Sequence, residues 1–423
     1  MKDEKNESKE KVEISKDNTS GETKYLERKA QSSETIQKVK QEVESKGKNG
    51  KKHTIPPGDL LEYRLKRLMF YMGYYPRINV IIKTSQDETA VTITDLDVYG
   101  TYIHKDFTSK TLWADCKSGN AKSHERISWI KGIMSTFDVN NVLFVKKKVR
   151  TETKQYARQY GIQVLDLSII SKLEKYYNIQ SDDWNGSWNP YIQYNQSTTF
   201  SKISLPTNDI YKKISDFIST DYWILDNYSR IKKIITAIRE LTPMLDVPIP
   251  LNQSTSIKWA INELTCLFLL TTLNIAKELY YFNETEKRET IFESLAAGDV
   301  STKKRKEIFN AAFRVAYSMV KNQIPEFIPP SELPSINLNP PKYSEAFYDL
   351  ITRVTNNPLQ YYDLLRFLDF YLMEYDLNSN DINHEKLKDM FANYNDLIIG
   401  VKTLLHFISQ VTNLPRSYFQ ILN

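Results

Sequence analysis

From Pro56 to Tyr177 the spacing of apolar residues switches period several times, and that order of periods limits the fold more than any other feature of the chain. Pro56-Pro57-Gly58 marks a break, and Asp59 is a plausible N-cap for the helix that follows. Leu61, Leu65, Leu68, Met69 and Met72 then recur at helical spacing, and Gly73 supplies a stop. Residues 78–83, 91–98 and 111–117 read as strands. Residues 123–137 suit a helix, 141–145 a buried strand, 151–160 a helix, 162–166 a last strand and 167–177 a further helix. A three-strand meander followed by strand–helix alternation implies a mixed sheet with helices packed on it.

The text on either side differs in kind. Residues 1–55 are mostly Lys, Glu, Ser, Asn and Asp, too poor in apolar groups to offset the entropy of ordering, and read as a disordered charged tail. Residues 179–206 are rich in Asn, Ser and Gly and read as a linker, with Trp184 and Trp188 as packing residues. Beyond Leu205-Pro206 the pattern is almost wholly helical. Pro243, Pro248 and Pro250 interrupt it once, and the proline-rich stretch 324–341 interrupts it again. The expected organisation is therefore a tail (1–55), an α/β mixed-sheet domain (56–178), a linker (179–206) and an all-α helical domain (207–423), subdivided near 324–341. Residues 358–375 carry aromatics on more than one face, which reads as a bundle core helix or as a docking surface for a partner or a second subunit.

Charge and cysteine content narrow the chemistry. The net charge of +5 excludes a polybasic chain, but residues 56–178 hold 19 Lys/Arg against 13 Asp/Glu, so a phosphate-binding surface belongs there. Two cysteines and five histidines form no metal-ligand spacing, and a disulfide framework is excluded. The first residues lack an apolar signal core, and the apolar run 264–276, bounded by Glu263 and Lys277, is too short to span a bilayer. A cytoplasmic protein with no membrane partner is expected.

The chemistry-bearing text is TDLDV (94–98) followed by WADCKSG (113–119). Side chains alternate along a strand, so Asp95 and Asp97 are expected to share one face, and Asp115 and Lys117 another shared face on the next strand. If the two strands pair as a hairpin, carboxylates and an ammonium converge. Hard oxygen ligands of this kind hold Mg²⁺, with water and substrate phosphate completing the shell. The metal lowers the pKa of a bound water, and Lys117 orients it and stabilises negative charge.

This layout resembles the PD-(D/E)xK superfamily, the restriction-endonuclease-like fold of restriction enzymes, Mrr-type nucleases, archaeal junction resolvases and TnsA-like transposition nucleases. The acid of the motif matches Asp97, preceded by Leu96 in place of Pro, and the tripeptide matches Asp115-Cys116-Lys117. Glu62, eleven residues before Gly73-Tyr74, matches the helix glutamate many members carry. The resemblance covers about residues 59–167. It implies an Mg²⁺-dependent DNA endonuclease, with Mn²⁺ able to substitute, in a restriction, phage-defence or transposition setting. Asp97, Asp115, Lys117 and Glu62 would be catalytic, and the metal would be held by Asp97, Asp115, Glu62 and the Cys116 backbone carbonyl. Asp95, Glu125 and Arg126 would support that set without binding the metal.

Basic residues near these elements, Lys122, Lys146, Lys147, Lys148 and Arg150, are candidates for DNA-backbone contact. Each reading has an ordinary counterpart. Asp97, Asp115 and Lys117 could be an exposed cross-strand charge pair, Glu62 a solvated acid among Arg64, Lys66 and Arg67, and the lysine run a soluble loop. Two rival functions keep the same fold: a catalytically silent DNA-binding or scaffold subunit of a larger complex, and an RNA-directed nuclease. The helical half would serve partner binding or homodimerisation.

Overall fold

A computed structural model describes residues 55–84, 90–119, 122–135, 139–203, 209–297, 302–328, 330 and 339–422. The tail expected over 1–55 therefore lies, but for Ile55, outside the described residues, as does half of the 324–341 interruption. Ile55–Asn423 forms one compact unit.

The first helix, α1 (Pro57–Tyr71), begins three residues earlier than the Asp59 cap would place it. Proline at its first position already has a helical φ and no N–H to satisfy, so Asp59 falls in the first turn, where a carboxylate favours the helix dipole. Gly73 ends the helix at φ 97°, its N–H bonding to the Phe70 carbonyl and that of Tyr74 to Met69, a paired C-cap that a left-handed residue permits.

Strands β1 (Tyr75–Lys83), β2 (Thr92–Ile103) and β3 (Ser109–Lys117) form an antiparallel meander. Helix α2 (Ser123–Met134) leads to β4 (Asn141–Lys146), and α3 (Thr151–Gln159) to β5 (Ile162–Asp166), both strands parallel to their predecessors. Helix α4 (Leu167–Tyr176) follows directly, its N-terminus capped by Asp166. The result is a five-stranded mixed sheet in the order β1 to β5.

Helices cover both faces. Leu61, Leu65, Leu68 and Met69 of α1 and Ile170 of α4 pack with Val98, Ala114 and Cys116 on one side. Ile127, Ile130 and Ile133 of α2 and Ala157 of α3 pack with Leu96, Trp113 and Phe144 on the other.

The stretch expected as a linker is folded over its described residues, 179–203. It carries a helical turn at Gly186–Trp188 and helix α5 (Pro190–Lys202), started by the Asn189 side chain capping two backbone N–H groups. Trp188 is wholly buried, stacked 5.3 Å from Phe370 and 4.7 Å from Phe70. Polar composition hid this, because two large rings suffice to anchor a polar segment.

Later helices include α6 (Ile210–Asp216), α7 (Asn227–Leu241) and α8 (Leu251–Leu279), a 29-residue helix at the centre of the helical half. By length and composition α8 could cross a membrane, but its most apolar stretch is almost entirely buried inside the protein. Its polar residues are satisfied within the fold. Thr265, Thr271 and Thr272 bond back to carbonyls four residues earlier, Asn262 donates to the Leu372 carbonyl, and Glu263 pairs with Arg77 of β1.

The largest core joins Phe70, Tyr75, Ile103 and Phe107 of the sheet region to helices throughout 210–422. Sheet and helices share that core across the boundary expected at 178–206. Residues 358–375 divide into short helices, including Leu364–Tyr371, and most of their apolar side chains lie in this core.

Candidate active site

The site forms where β2 and β3 part. Their pairing runs from Ile103 with Ser109 to Val98 with Ala114, and no rung follows. β2 meanwhile stays paired with β1 past Leu96. Asp97 lies in the resulting fork, and its Oδ2 accepts the Cys116 N–H at 2.7 Å, a donor the next ladder rung would otherwise have engaged.

Alternation is interrupted here, contrary to a simple reading of the strand. Leu96 and Val98, two residues apart, join opposite cores. On β1 the flanking pair Ile78 and Val80 do the same around Asn79, which adopts a left-handed φ of 56° and is skipped in the pairing. The local twist separates the two acids expected to share a face: Asp97 is buried, 7% exposed, whereas Asp95 is exposed.

Lys117 reaches across the fork. Its Nζ donates to Asp97 Oδ2 at 2.9 Å and lies 3.3 Å from Asp115 Oδ1. Asp115 is fully buried, and Arg126 from the first turns of α2 grips it from the other side, with Nε 3.1 and 3.0 Å from the two carboxylate oxygens and Nη2 also on Oδ1. The guanidinium carbon lies over the Trp129 ring, 3.6 Å from its centre. This is a fixed, charge-assisted pair.

Burial raises the Asp97 pKa, with the Asp115 charge adding to it and Lys117 opposing it. Burial also works against the Lys117 ammonium, but Asp115 and Asp97 outweigh it and its pKa is raised. Glu62 stands one helix turn from the start of α1, half-buried beside this group. Burial first, then the charge of Asp97, pushes its pKa up to about 8.

Of the four residues expected to be catalytic, Asp97, Asp115 and Lys117 are in contact, and Glu62 stands near enough to feel the charges of Asp97 and Lys117. Cys116 turns its thiol into the opposite core. Arg126 belongs to the group. Glu125 does not: it pairs with Lys122 on the exposed face of α2, at 2.9 Å. Asp95 faces a cavity beside Glu62.

Of the basic residues, Lys146 is the rung partner of Lys117 and hydrogen-bonds Ser123 at 3.3 Å, while Lys147, Lys148 and Arg150 are exposed at the same end of the sheet. Lys66 and Arg67 do not form a solvated face around Glu62. Both are buried, and Arg67 bonds Glu174 and three backbone carbonyls. Their side chains satisfy a packed interior, which charge content alone does not reveal.

Among the described residues no three His, Cys, Asp or Glu side chains are grouped closely enough to hold a metal ion. The oxygens of Asp97 and Asp115 are nevertheless both within reach of one ammonium, so a single cation can be shared between them. That suits Mg²⁺, which takes one or two carboxylates and fills its other positions with water and phosphate. It does not suit a caged metal. No protein-family model, curated protein or solved structure matches the chain.

Proposed function

We propose that the chain is an Mg²⁺-dependent endonuclease that hydrolyses phosphodiester bonds in DNA, built on a restriction-endonuclease-like sheet. The observation that carries this reading is the Asp97–Lys117–Asp115 bridge at the strand fork, with Glu62 beside it. An ornamental charge pair on a sheet surface would be solvated and of little consequence. Here the carboxylates are buried, and burying like charges together is costly unless a cation is shared among them.

Asp97 and Asp115 would hold the metal, with Glu62 and the Cys116 carbonyl at its margin. When bound, the ion supplies an acidified water and neutralises phosphate charge. Lys117, released from the pair, holds the attacking water by hydrogen bond and faces the negative charge that develops on the phosphate oxygens. Arg126 and the Trp129 ring fix the Asp115 carboxylate, so its orientation costs nothing during reaction. The basic loop after β4 would grip neighbouring phosphates.

Purified protein incubated with plasmid and Mg²⁺ or Mn²⁺ should nick or linearise the DNA, and Asp115→Ala and Lys117→Ala should not. Equal activity in all three proteins defeats the reading.

A second reading, a silent DNA-binding or scaffold subunit, is favoured by one observation. Arg126 and Lys117 already compensate Asp115 without a metal. DNA binding that needs no divalent ion, with no cleavage and no loss in Asp97→Ala, would select it.

A further inference from the structure

A cavity of about 460 Å³ opens beside the fork, with Glu62 and Asp95 on its lining. Its far walls come from the helical half: α5, α6 and the start of the α8 core. Resting on the nuclease reading above, we propose that this cavity receives one unstacked nucleoside, base and sugar together, from the strand whose phosphodiester lies at the fork. The preferred substrate is then nucleic acid with an unpaired nucleotide next to the cut: a single strand, a frayed end or a branch.

Charge decides which part of a nucleotide can enter. The lining holds four carboxyl groups, Asp59, Glu62, Asp95 and Glu263, against two cations, Lys66 and Arg77, and stays one negative charge ahead with Glu62 protonated. Arg77 is already paired with Glu263, and Lys66 is buried. A phosphate would meet net negative charge, whereas a neutral, hydrogen-bonding group would not. Phosphates belong instead with Lys117 and the exposed basic loop outside.

The walls have the matching chemistry. Tyr194, Ser197, Thr198 and Ser201 recur at three- and four-residue spacing along one face of α5, and all four line the cavity. Ser215 and Ser219 face it from α6 and from the widened helical turn Phe217–Asp221 that follows. Such turns are frequent at functional sites. Tyr194 and Trp223 add flat aromatic surface, on which any base can stack.

One group is set with no partner. Gln193, 4% exposed, accepts from the Trp259 indole N–H through Oε1 at 2.8 Å, which fixes its amide, while Nε2 has no hydrogen bond. A buried donor left unpaired is destabilising unless a ligand supplies the acceptor, and base carbonyls and ring nitrogens are acceptors. The volume lies in the range of small-molecule sites, about 300–1,000 Å³, and far below what a duplex needs. The nucleotide must therefore leave its stack, which is easiest where it is already unpaired.

The test uses the full chain with Ca²⁺ or EDTA to suppress cleavage. Oligonucleotides carrying 5-iodouracil at successive positions are photo-cross-linked, as single strand and as blunt duplex, and the attachment site is mapped by mass spectrometry. Attachment to Tyr194 or Trp223 from the single strand is expected, with far less from duplex. Ser197→Phe and Ser219→Tyr, which fill the cavity from two walls, should each weaken single-strand binding by about tenfold, the scale of one lost stacking contact. Unfolding temperatures of both variants identify any that simply misfolds, and the wild-type attachment map stands independently of them.

Cross-links confined to the 147–150 loop, binding untouched by either folded variant, or no nucleic-acid binding at all would overturn the inference. Cross-linking inside the cavity without hydrolysis under any divalent ion would uphold it and defeat the nuclease reading. Metal-dependent cleavage with attachment outside the cavity would do the reverse.

Discussion

The strand fork and the helical interior both bury carboxylates, yet they handle them differently. In the helical half Asp369 accepts from the Ser187 hydroxyl, and Asp376 accepts the Gln420 N–H at 2.9 Å beside Lys258. Burial raises the pKa of both, as it does for Asp97 and Glu62. The difference lies in company and access. Asp369 and Asp376 each serve the packing of their own neighbourhood. Asp97 and Asp115 come from neighbouring strands to share one lysine, and Glu62, from a third element, stands near enough to feel the charges of Asp97 and Lys117 and lines an open cavity. A perturbed carboxyl is therefore weak evidence for a site, and convergence of several on one cation is stronger.

The sharpest way to break this comparison is to neutralise one acid from each region. Asp115→Asn should lower the cleavage rate by at least about 10²-fold, the scale on which losing one charge-handling group acts. Asp369→Asn should leave the rate per folded molecule unchanged, because burial already biases that side chain toward its neutral form. Initial rates normalised to folded protein decide the matter. Equal losses would mean that the fork is no more chemical than the interior.

A second experiment separates the competent from the silent form of the site. Arg126→Leu removes the principal partner of a fully buried carboxylate. Breaking such a pair costs about 3–5 kcal/mol, and the lower end is expected because Lys117 still lies 3.3 Å from Asp115. Millimolar Mg²⁺ should then raise the unfolding temperature of Arg126→Leu by more than that of the wild type, since the ion takes over the charge the arginine left. No Mg²⁺ effect in either protein would favour a scaffold role.

Much of the sheet region was legible because period and turn residues agree there. The meander, the crossover helices and the stop at Gly73 all follow from local pattern. The convergence of Asp97, Asp115 and Lys117 was legible only in part. Motif spacing brought the residues to neighbouring strands, but the parting of β2 from β3 and the left-handed Asn79 are tertiary events with no periodic signal. For the same reason Asp95 seemed a companion of Asp97. The cavity was illegible altogether, since it joins residues near 60, 80, 95, 195 and 220 that no window contains. The polar text around Trp188 misled in the opposite direction, because composition averages away one buried ring and one half-buried ring.

The smallest expected effect concerns the rim and asks whether it differs from the centre in kind. Lys147 and Lys148 are exposed after β4, at the sheet end that carries Lys117. Lys146 is a poorer probe, because its ammonium already bonds Ser123, and Lys122 is engaged by Glu125. If the two exposed lysines touch phosphates, the Lys147→Ala, Lys148→Ala double variant loses two counterion-releasing contacts. The slope of log affinity against log salt should then fall by about 2 for duplex DNA, with binding only modestly weaker at low salt and the maximal cleavage rate unchanged. A lowered maximal rate with an unaltered salt slope would place these lysines among the groups that act on the reacting phosphate, and the distinction between centre and rim would disappear.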